Sequence, residues 1–230
     1  MEKTQKSKFE KTRWLLLIDG AVSLIMALVI VILLRHKPAD YHPELLFDKP
    51  VSPYLTHQLL PQFYNGMQKK EPFEMIIEQK GLNEAIAAIG WPQMFNGLLV
   101  STPVISIAPR QLRLRAMINY NGIDTVATVE IVPRIDDKGL LHLDVENVKM
   151  GALGVTYITK KLAKKIFNEQ IQYIEPDNIA SLTLASLMAE KPFEPVFAVE
   201  GEKARIDYFI LRKEMLEVHI VPIEKQVGVR

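Results

Sequence analysis

The chain has 230 residues, of which 48% are hydrophobic, a formal net charge of +1 and no cysteine. That length suffices for one membrane segment plus one domain of ordinary size, and the near-neutral balance offers no basic surface for nucleic acid. Without cysteine, a disulfide scaffold, a thiolate metal site and a cysteine nucleophile are all excluded.

Residues 1–13 form a basic arm containing Lys3, Lys6, Lys8, Lys11 and Arg13. Residues 14–34, WLLLIDGAVSLIMALVIVILL, then hold a single charge in 21 positions. As a helix rising about 1.5 Å per residue they reach about 31 Å, enough to cross a bilayer. A signal peptide has a shorter apolar region ending in small residues, whereas this run ends at Arg35-His36-Lys37-Pro38. The pattern predicts an uncleaved single-pass anchor. Basic residues are denser before the span than after it, so the arm is expected in the cytoplasm and everything from about Ala39 outside it. Asp19, the ionisable residue within the span, is close enough to the basic edge to snorkel toward water or Arg13, which requires no partner.

Residues 35–71 carry prolines at 38, 43, 50, 53 and 61 with no sustained period, which predicts a stalk holding the following domain off the membrane. Seven of the 28 basic and three of the 27 acidic residues precede Ala39, leaving a net charge of −3 beyond it. Such a balance steers no ligand.

The domain is expected over residues 72–223, with 224–230 as a tail. FEMIIEQ, residues 73–79, alternates like a strand, and LNEAIAAIGW after it places Leu82, Ala85, Ile86 and Ile89 on one helical face. VISIA follows Pro103 as a short strand. QLRLRAMINYNGIDTVATVEI, residues 111–131, is two alternating runs about Asn121-Gly122, the strongest short-range hairpin signal, because a type I′ turn needs positive φ at both central positions. With Tyr120 opposite Ile123, Leu112 meets Ile131, Leu114 meets Val129, Ala116 meets Ala127 and Ile118 meets Thr125. One face is then nearly all apolar. The other pairs Arg113 with Glu130, Arg115 with Thr128 and Asn119 with Asp124, the pattern of a solvated face. Asp136-Asp137-Lys138-Gly139 turns into a strand whose Leu141, Leu143 and Val145 extend the apolar face. Over residues 155–174 the period changes to helical: Val155, Ile158, Leu162, Ile166 and Tyr173 share a side, away from most of Lys160, Lys161, Lys164, Lys165 and Asn168. This amphipathic helix is the expected cover for the sheet. EKARIDYFILRKEMLEVHIVP alternates twice about residues 212–214, a further hairpin. The fold class is α+β: a transmembrane helix, then a curved antiparallel sheet packed around a long amphipathic helix.

Behind the anchor, a strand and short helix ending in LNEAIAAI, a PVISIAP entry, meandering strands through VEIVPRIDDKGLLHLDVENVKMGALGV and a long helix follow one another over roughly residues 71–222. This order resembles the YpmS-like and LmeA-like bacterial envelope proteins, which are related to the tubular lipid-binding (TULIP) superfamily. The resemblance implies a strongly curved sheet wrapped around a helix, an apolar interior able to hold an acyl chain, and no catalytic residues. The chain is too short for the two-module tubes of larger members.

Chemistry is sparse. His36, His42, His57, His142 and His219 show no metal-ligand spacing. Neither a Gly-x-Ser-x-Gly elbow nor a Gly-rich phosphate loop occurs, so hydrolase and nucleotide readings lack their parts. Asp136-Asp137 begins no EF-hand frame, and Asp144 and Glu146 alternate with apolar neighbours as outer-face carboxylates. Neither an enzyme, a metal nor a cofactor is expected. The leading expectation is a cell-envelope protein binding a lipid or other apolar ligand, the alternative a non-catalytic scaffold of an envelope complex; the partners are membrane lipid and an envelope protein, not nucleic acid. The expected ligand face is Leu112, Leu114, Ala116, Ile118, Ala127, Val129, Leu141, Leu143, Ile158, Leu162 and Ile166. Lys160, Lys161, Lys164 and Lys165 are the candidates for lipid headgroups or an acidic partner, against the plainer reading of a solvated helix face.

Replacing Gly122 with valine should destabilise the first hairpin by about 1–3 kcal/mol, because a β-branched residue resists positive φ. An unchanged melting temperature would show that Asn121-Gly122 is not in a type I′ turn.

Overall fold

The computed structural model describes residues 2–43, 51–95, 97–170, 179–199 and 201–223. Helix α1 spans Glu2–Leu34, and its window Leu17–Leu34, with mean hydropathy 2.8 and none of it buried, is long and apolar enough to cross a membrane. The remainder is α+β, built on two antiparallel sheets rather than one, and neither is strongly curled. The first has the order β1-β11-β10-β9, with β1 Phe73–Glu78, β9 Val196–Val199, β10 Glu202–Arg212 and β11 Met215–Ile223. In the second, β2 Gln93–Phe95, β3 Leu98–Val100, β5 Gln111–Tyr120, β6 Ile123–Ile135, β7 Leu141–Met150 and β8 Leu153–Gly154 follow in that order, while β4 Val104–Ala108 pairs with β5.

The first hairpin has the register that its alternation requires, from Leu112 opposite Ile131 to Tyr120 opposite Ile123. Asn121 and Gly122 have φ of 50° and 81°, as a type I′ turn demands. Between Glu130 and Ile131 the pairing to β7 shifts by one residue, a bulge that leaves Val145 opposite Ile131 and Val148 opposite Val129. Both valines therefore stay on the apolar face, where Leu112, Leu143, Val155 and Leu187 complete a packed cluster.

The opposite face is not simply solvated. Arg115, Val126 and Thr128 are buried there, because residues just beyond α1 cross it. Tyr41 packs against Val104, Val126 and Met117, accepts a hydrogen bond from Met117 N (3.1 Å) and donates one to the Thr102 carbonyl (3.1 Å). Asp40 lies 2.6 Å from Arg115 Nη2. Burial lowers the pKa of Arg115 and the charge of Asp40 opposes that shift.

The segment expected to be a stalk is likewise folded where it is described. Residues 55–59 form a π-helical turn continued by α2, Leu60–Gln68. The helical stretch opens at Pro53, where a missing N–H costs nothing, behind Ser52, whose Oγ accepts from Leu55 N (3.2 Å), and Pro61 follows the π-helical turn inside the same run, so these prolines belong to a helix rather than a linker. Phe63 and Met67 of α2 pack on Met75, Ala204, Val218 and Ile220, which makes α2 part of the core of the first sheet.

Helix α4, Thr156–Gln170, is not enclosed by a sheet. It lies beside β7 and beside α5, Ile179–Ala189, and it is turned differently from the expected apolar stripe. Thr156 Oγ1 accepts a hydrogen bond from Val148 N (2.9 Å) and donates to Asn147 Oδ1 (3.0 Å). That anchorage rotates Thr156, Thr159 and Ala163 inward and leaves Tyr157, Ile158 and Leu162 exposed. Tyr173 lies outside the described residues.

The two sheets are joined at β4. Helix α3, Gln79–Ala87, presents Gln79 and Asn83 one turn apart on one face. Asn83 Nδ2 donates to the Ile105 carbonyl (2.9 Å) and Asn83 Oδ1 accepts from Ile105 N (2.7 Å). Gln79 Oε1 accepts from Ile107 N (2.6 Å), and Glu214 N, in the β10–β11 turn, donates to the Ile107 carbonyl (3.0 Å). The β4 groups facing away from β5 are thus matched, and the edge is closed to further pairing.

Replacing Asn83 with alanine orphans the N–H and C=O of Ile105 together. Stability should fall by about 2 kcal/mol or more, read as a lowered denaturant midpoint. An unchanged midpoint would mean that the side chain does not hold this edge.

Candidate functional site

Alternation along β1 and β11 puts Met75 and Ile77, then Leu216, Val218 and Ile220, on one face of the first sheet. A bulge after Ile206 leaves Asp207 without a cross-strand partner, so Ile206 stays on that face while Phe209 also packs against the core. Helix α2 covers part of this surface, with the Phe63 ring 5.7 Å from that of Phe197 and 6.4 Å from that of Phe73. The uncovered part is the floor of a cleft of about 340 Å³, closed from the other side by Leu141 of β7, Thr183 of α5, Phe193 and Pro195. Apart from Thr183 the lining side chains are hydrocarbon, with Met75 adding a thioether. The volume falls within the range of small-molecule sites, roughly 300–1,000 Å³.

Backbone hydrogen bonds hold the two sides together. Leu141 N donates to the Phe193 carbonyl (2.8 Å) and Phe193 N to the Leu141 carbonyl (3.1 Å), while Ile206 N donates to Pro195 O (3.0 Å). Leu143 N donates to the buried Ser186 Oγ (3.3 Å), which seats α5 on β7. The approach to Leu141 is set by the preceding turn: Asp136 Oδ1 accepts from Lys138 N (2.9 Å) and Leu140 N (3.0 Å). His142 Nε2 lies 2.9 Å from Asp136 Oδ2, and Arg134 Nη2 is 3.0 Å from His142 Nδ1. A guanidinium can only donate, so Nδ1 accepts and the imidazole proton sits on Nε2. The hydrogen bond from His142, followed by that from Leu140 N, holds the Asp136 carboxyl at about 2 against an ordinary 3.8.

A second, polar cleft of about 300 Å³ lies between the π-helical turn and α3, lined by Tyr54, His57, Glu78, Lys80 and Glu84 among others. Glu84 Oε1 accepts from Ser52 Oγ (2.8 Å) and Tyr54 N (3.0 Å), and Tyr54 OH accepts from Glu78 N (2.9 Å). Burial raises the pKa of Tyr54. These contacts fasten residues 52–59 to α3.

Of the residues expected to form a ligand face, Leu141 alone lines the apolar cleft. Leu112, Val129 and Leu143 belong to the packed cluster under Leu187. Leu114, Ala116, Ile118 and Ala127 are half-buried along the hairpin, and Ile158 and Leu162 are exposed on α4. The side chain of Ile166 lies outside the described residues. Lys160 is paired with Glu190 at 2.7 Å, and Lys161, Lys164 and Lys165 are exposed. The cleft residues that sequence reasoning missed sit in strands whose alternation was visible. What was not visible is that β1 pairs with β11, Phe73 opposite Ile220, across most of the domain.

The chain matches no model of a known protein family, and no curated protein matches it significantly.

A carboxyl whose pKa is lowered by folding contributes stability that is complete above its ordinary value and is lost as pH falls through the folded value. For Asp136 that window runs from 3.8 down to about 2. Thermal melts across it should show a flatter acid limb for Asp136→Asn than for the unmodified chain. Superimposable profiles would remove Asp136 from the acid response.

Proposed function

We propose that this is a single-pass membrane protein whose α+β domain lies outside the cytoplasm and binds, without catalysis, an apolar ligand such as an acyl chain in the cleft between its two sheets. The observation that carries this reading is the cleft itself: about 340 Å³ of space, lined by hydrocarbon from both sheets. A hydrocarbon chain entering it would exchange water for apolar surface with no polar group left unmatched.

The way α1 ends supports an uncleaved anchor. Ala152 N donates to the Leu33 carbonyl (2.8 Å) and Thr125 Oγ1 to the Leu34 carbonyl (2.7 Å), so the domain caps the helix at the end of its apolar run. Gly151, with φ of 59°, has no Cβ to collide with those carbonyls. A processed signal sequence would forfeit these contacts. The dense basic arm before the span supports a cytoplasmic N-terminus. A distant kinship with the YpmS-like, LmeA-like and tubular lipid-binding proteins fits the order of anchor, strand–helix unit and antiparallel meander. Ile76, Tyr208 and Ile210, exposed on the outer face of the first sheet, favour a second reading as a scaffold of an envelope complex.

The full chain, purified in detergent and examined by native mass spectrometry, should retain lipid, and it should bind a fluorescent fatty acid. Leu216→Trp fills the cleft, so fatty-acid uptake should fall severalfold with little change in melting temperature. In a core with no room the same ring would cost about 1–3 kcal/mol. Strong destabilisation together with no lipid bound by the unmodified chain would decide for the scaffold.

A further inference from the structure

The hydrogen bonds that end α1 also fix which parts of the domain lie beside it. Thr125, bonded to the Leu34 carbonyl, is two residues from Ile123, and Ile123 and its cross-strand partner Tyr120 are each 56% exposed at the hairpin tip. Ala152, bonded to the Leu33 carbonyl, is five residues before Tyr157. At no more than about 3.6 Å per residue, Tyr157 lies within about 18 Å of Ala152 along the chain.

Tyr157, Ile158 and Leu162 are 79%, 68% and 55% exposed. At about 100° per residue, positions 157, 158, 161, 162, 164 and 165 fill one continuous arc of roughly 160°. Its members are a tyrosine, two large aliphatic residues and three exposed lysines. Thr156, Thr159, Lys160 and Ala163 occupy the opposite arc, half-buried toward the domain, where Lys160 meets Glu190. No acidic residue occurs from Thr156 to Lys165. Large apolar side chains interleaved with lysines suit a headgroup layer: rings and aliphatic groups sink toward the acyl boundary while ammonium groups reach outward to phosphates.

We infer that the exposed arc of α4, with Tyr120 and Ile123 at the hairpin tip, rests in the headgroup layer of the leaflet from which α1 emerges, taking anionic phospholipid. The inference rests on the reading of α1 as a membrane span and is independent of ligand binding in the cleft. It gives the exposed part of the expected apolar stripe an occupant, and it lays the domain on the bilayer rather than above it.

The absence of native cysteine makes site-directed labelling direct. An environment-sensitive fluorophore is placed on the full chain through Ile158→Cys, Leu162→Cys or Ile123→Cys. Ile25→Cys in α1 and Ile210→Cys on the outer face of the first sheet serve as controls. The chain is assembled in nanodiscs of phosphatidylcholine and phosphatidylglycerol. Labels at 158, 162 and 123 should be quenched by spin-labelled lipid and shielded from aqueous iodide, whereas the label at 210 should behave oppositely. Lys161→Glu with Lys164→Glu should weaken the lipid quenching at 158 in anionic discs, each lost charge being worth about a fivefold change in surface partition. Iodide access at 158 and 162 equal to that at 210, with lipid quenching retained at position 25, overturns the inference alone. Loss of lipid quenching at position 25 overturns the membrane-spanning reading with it. Shielding at 158 from both quenchers overturns it in favour of a protein contact.

Discussion

The closing of the β4 edge is the constraint on which the arrangement of the domain depends. An edge strand carries backbone groups that must find partners, and here two amide side chains on α3 and the backbone of the β10–β11 turn supply them. Because those partners belong to, or adjoin, the first sheet, satisfying β4 of the second sheet also sets the position of one sheet against the other. Gln79 N donates in turn to the Glu214 carbonyl (2.9 Å), so the start of α3, the β10–β11 turn and β4 form one connected polar seam. The seam positions α3, Glu84 on α3 holds residues 52–54, and α2 continues from there onto the first sheet. The cleft is the part of that sheet which α2 leaves open.

A second set of backbone groups, the terminal carbonyls of α1, is satisfied by the same logic. A helix ends with four C=O groups lacking intrahelical donors, and Ala152 N and Thr125 Oγ1 meet two of them. The chain then crosses to the opposite face of β6, where Asp40 meets Arg115, a residue that is 5% exposed. A guanidinium so enclosed is tolerated because a carboxylate accompanies it. Nearby, burial works against ionisation of Glu130, but the hydrogen bond from Asn147 and the charges of Arg113 and Lys149 outweigh it, and its pKa is lowered. The last turn of α1, the residues after it and the second sheet are therefore held together, which gives the exposed residues of α4 a defined place near the end of α1.

The hairpin centred on Asn121-Gly122 was legible because its information is local: alternation with a period of two, interrupted by residues that accept positive φ, specifies register and faces together. The turn at Asp136 and the β10–β11 hairpin were legible for the same reason. Helix α4 was legible as a helix but not in its orientation. Its apolar stripe promised that Ile158 and Leu162 would face the sheet, yet two hydrogen bonds at Thr156 and the small side chains of Thr159 and Ala163 decided which side could approach β7. Helix α2 was hidden by its prolines, because Pro53 at the start of the helical stretch and a proline in a linker are alike until packing distinguishes them.

By itself the sequence determined the apolar helix, the antiparallel hairpins with the register of the first, and the α+β class, since each rests on periodicity or turn chemistry within some 20 residues. Tertiary structure alone decided that the strands divide into two sheets, that β1 joins β11, and that the apolar space lies between the sheets rather than under the first hairpin. Many alternating strands can bury an apolar face, and pattern does not say against which partner. That choice is made by closing specific backbone groups over long separations, Asn83 on Ile105 and Glu214 on Ile107, and no local period encodes such closures.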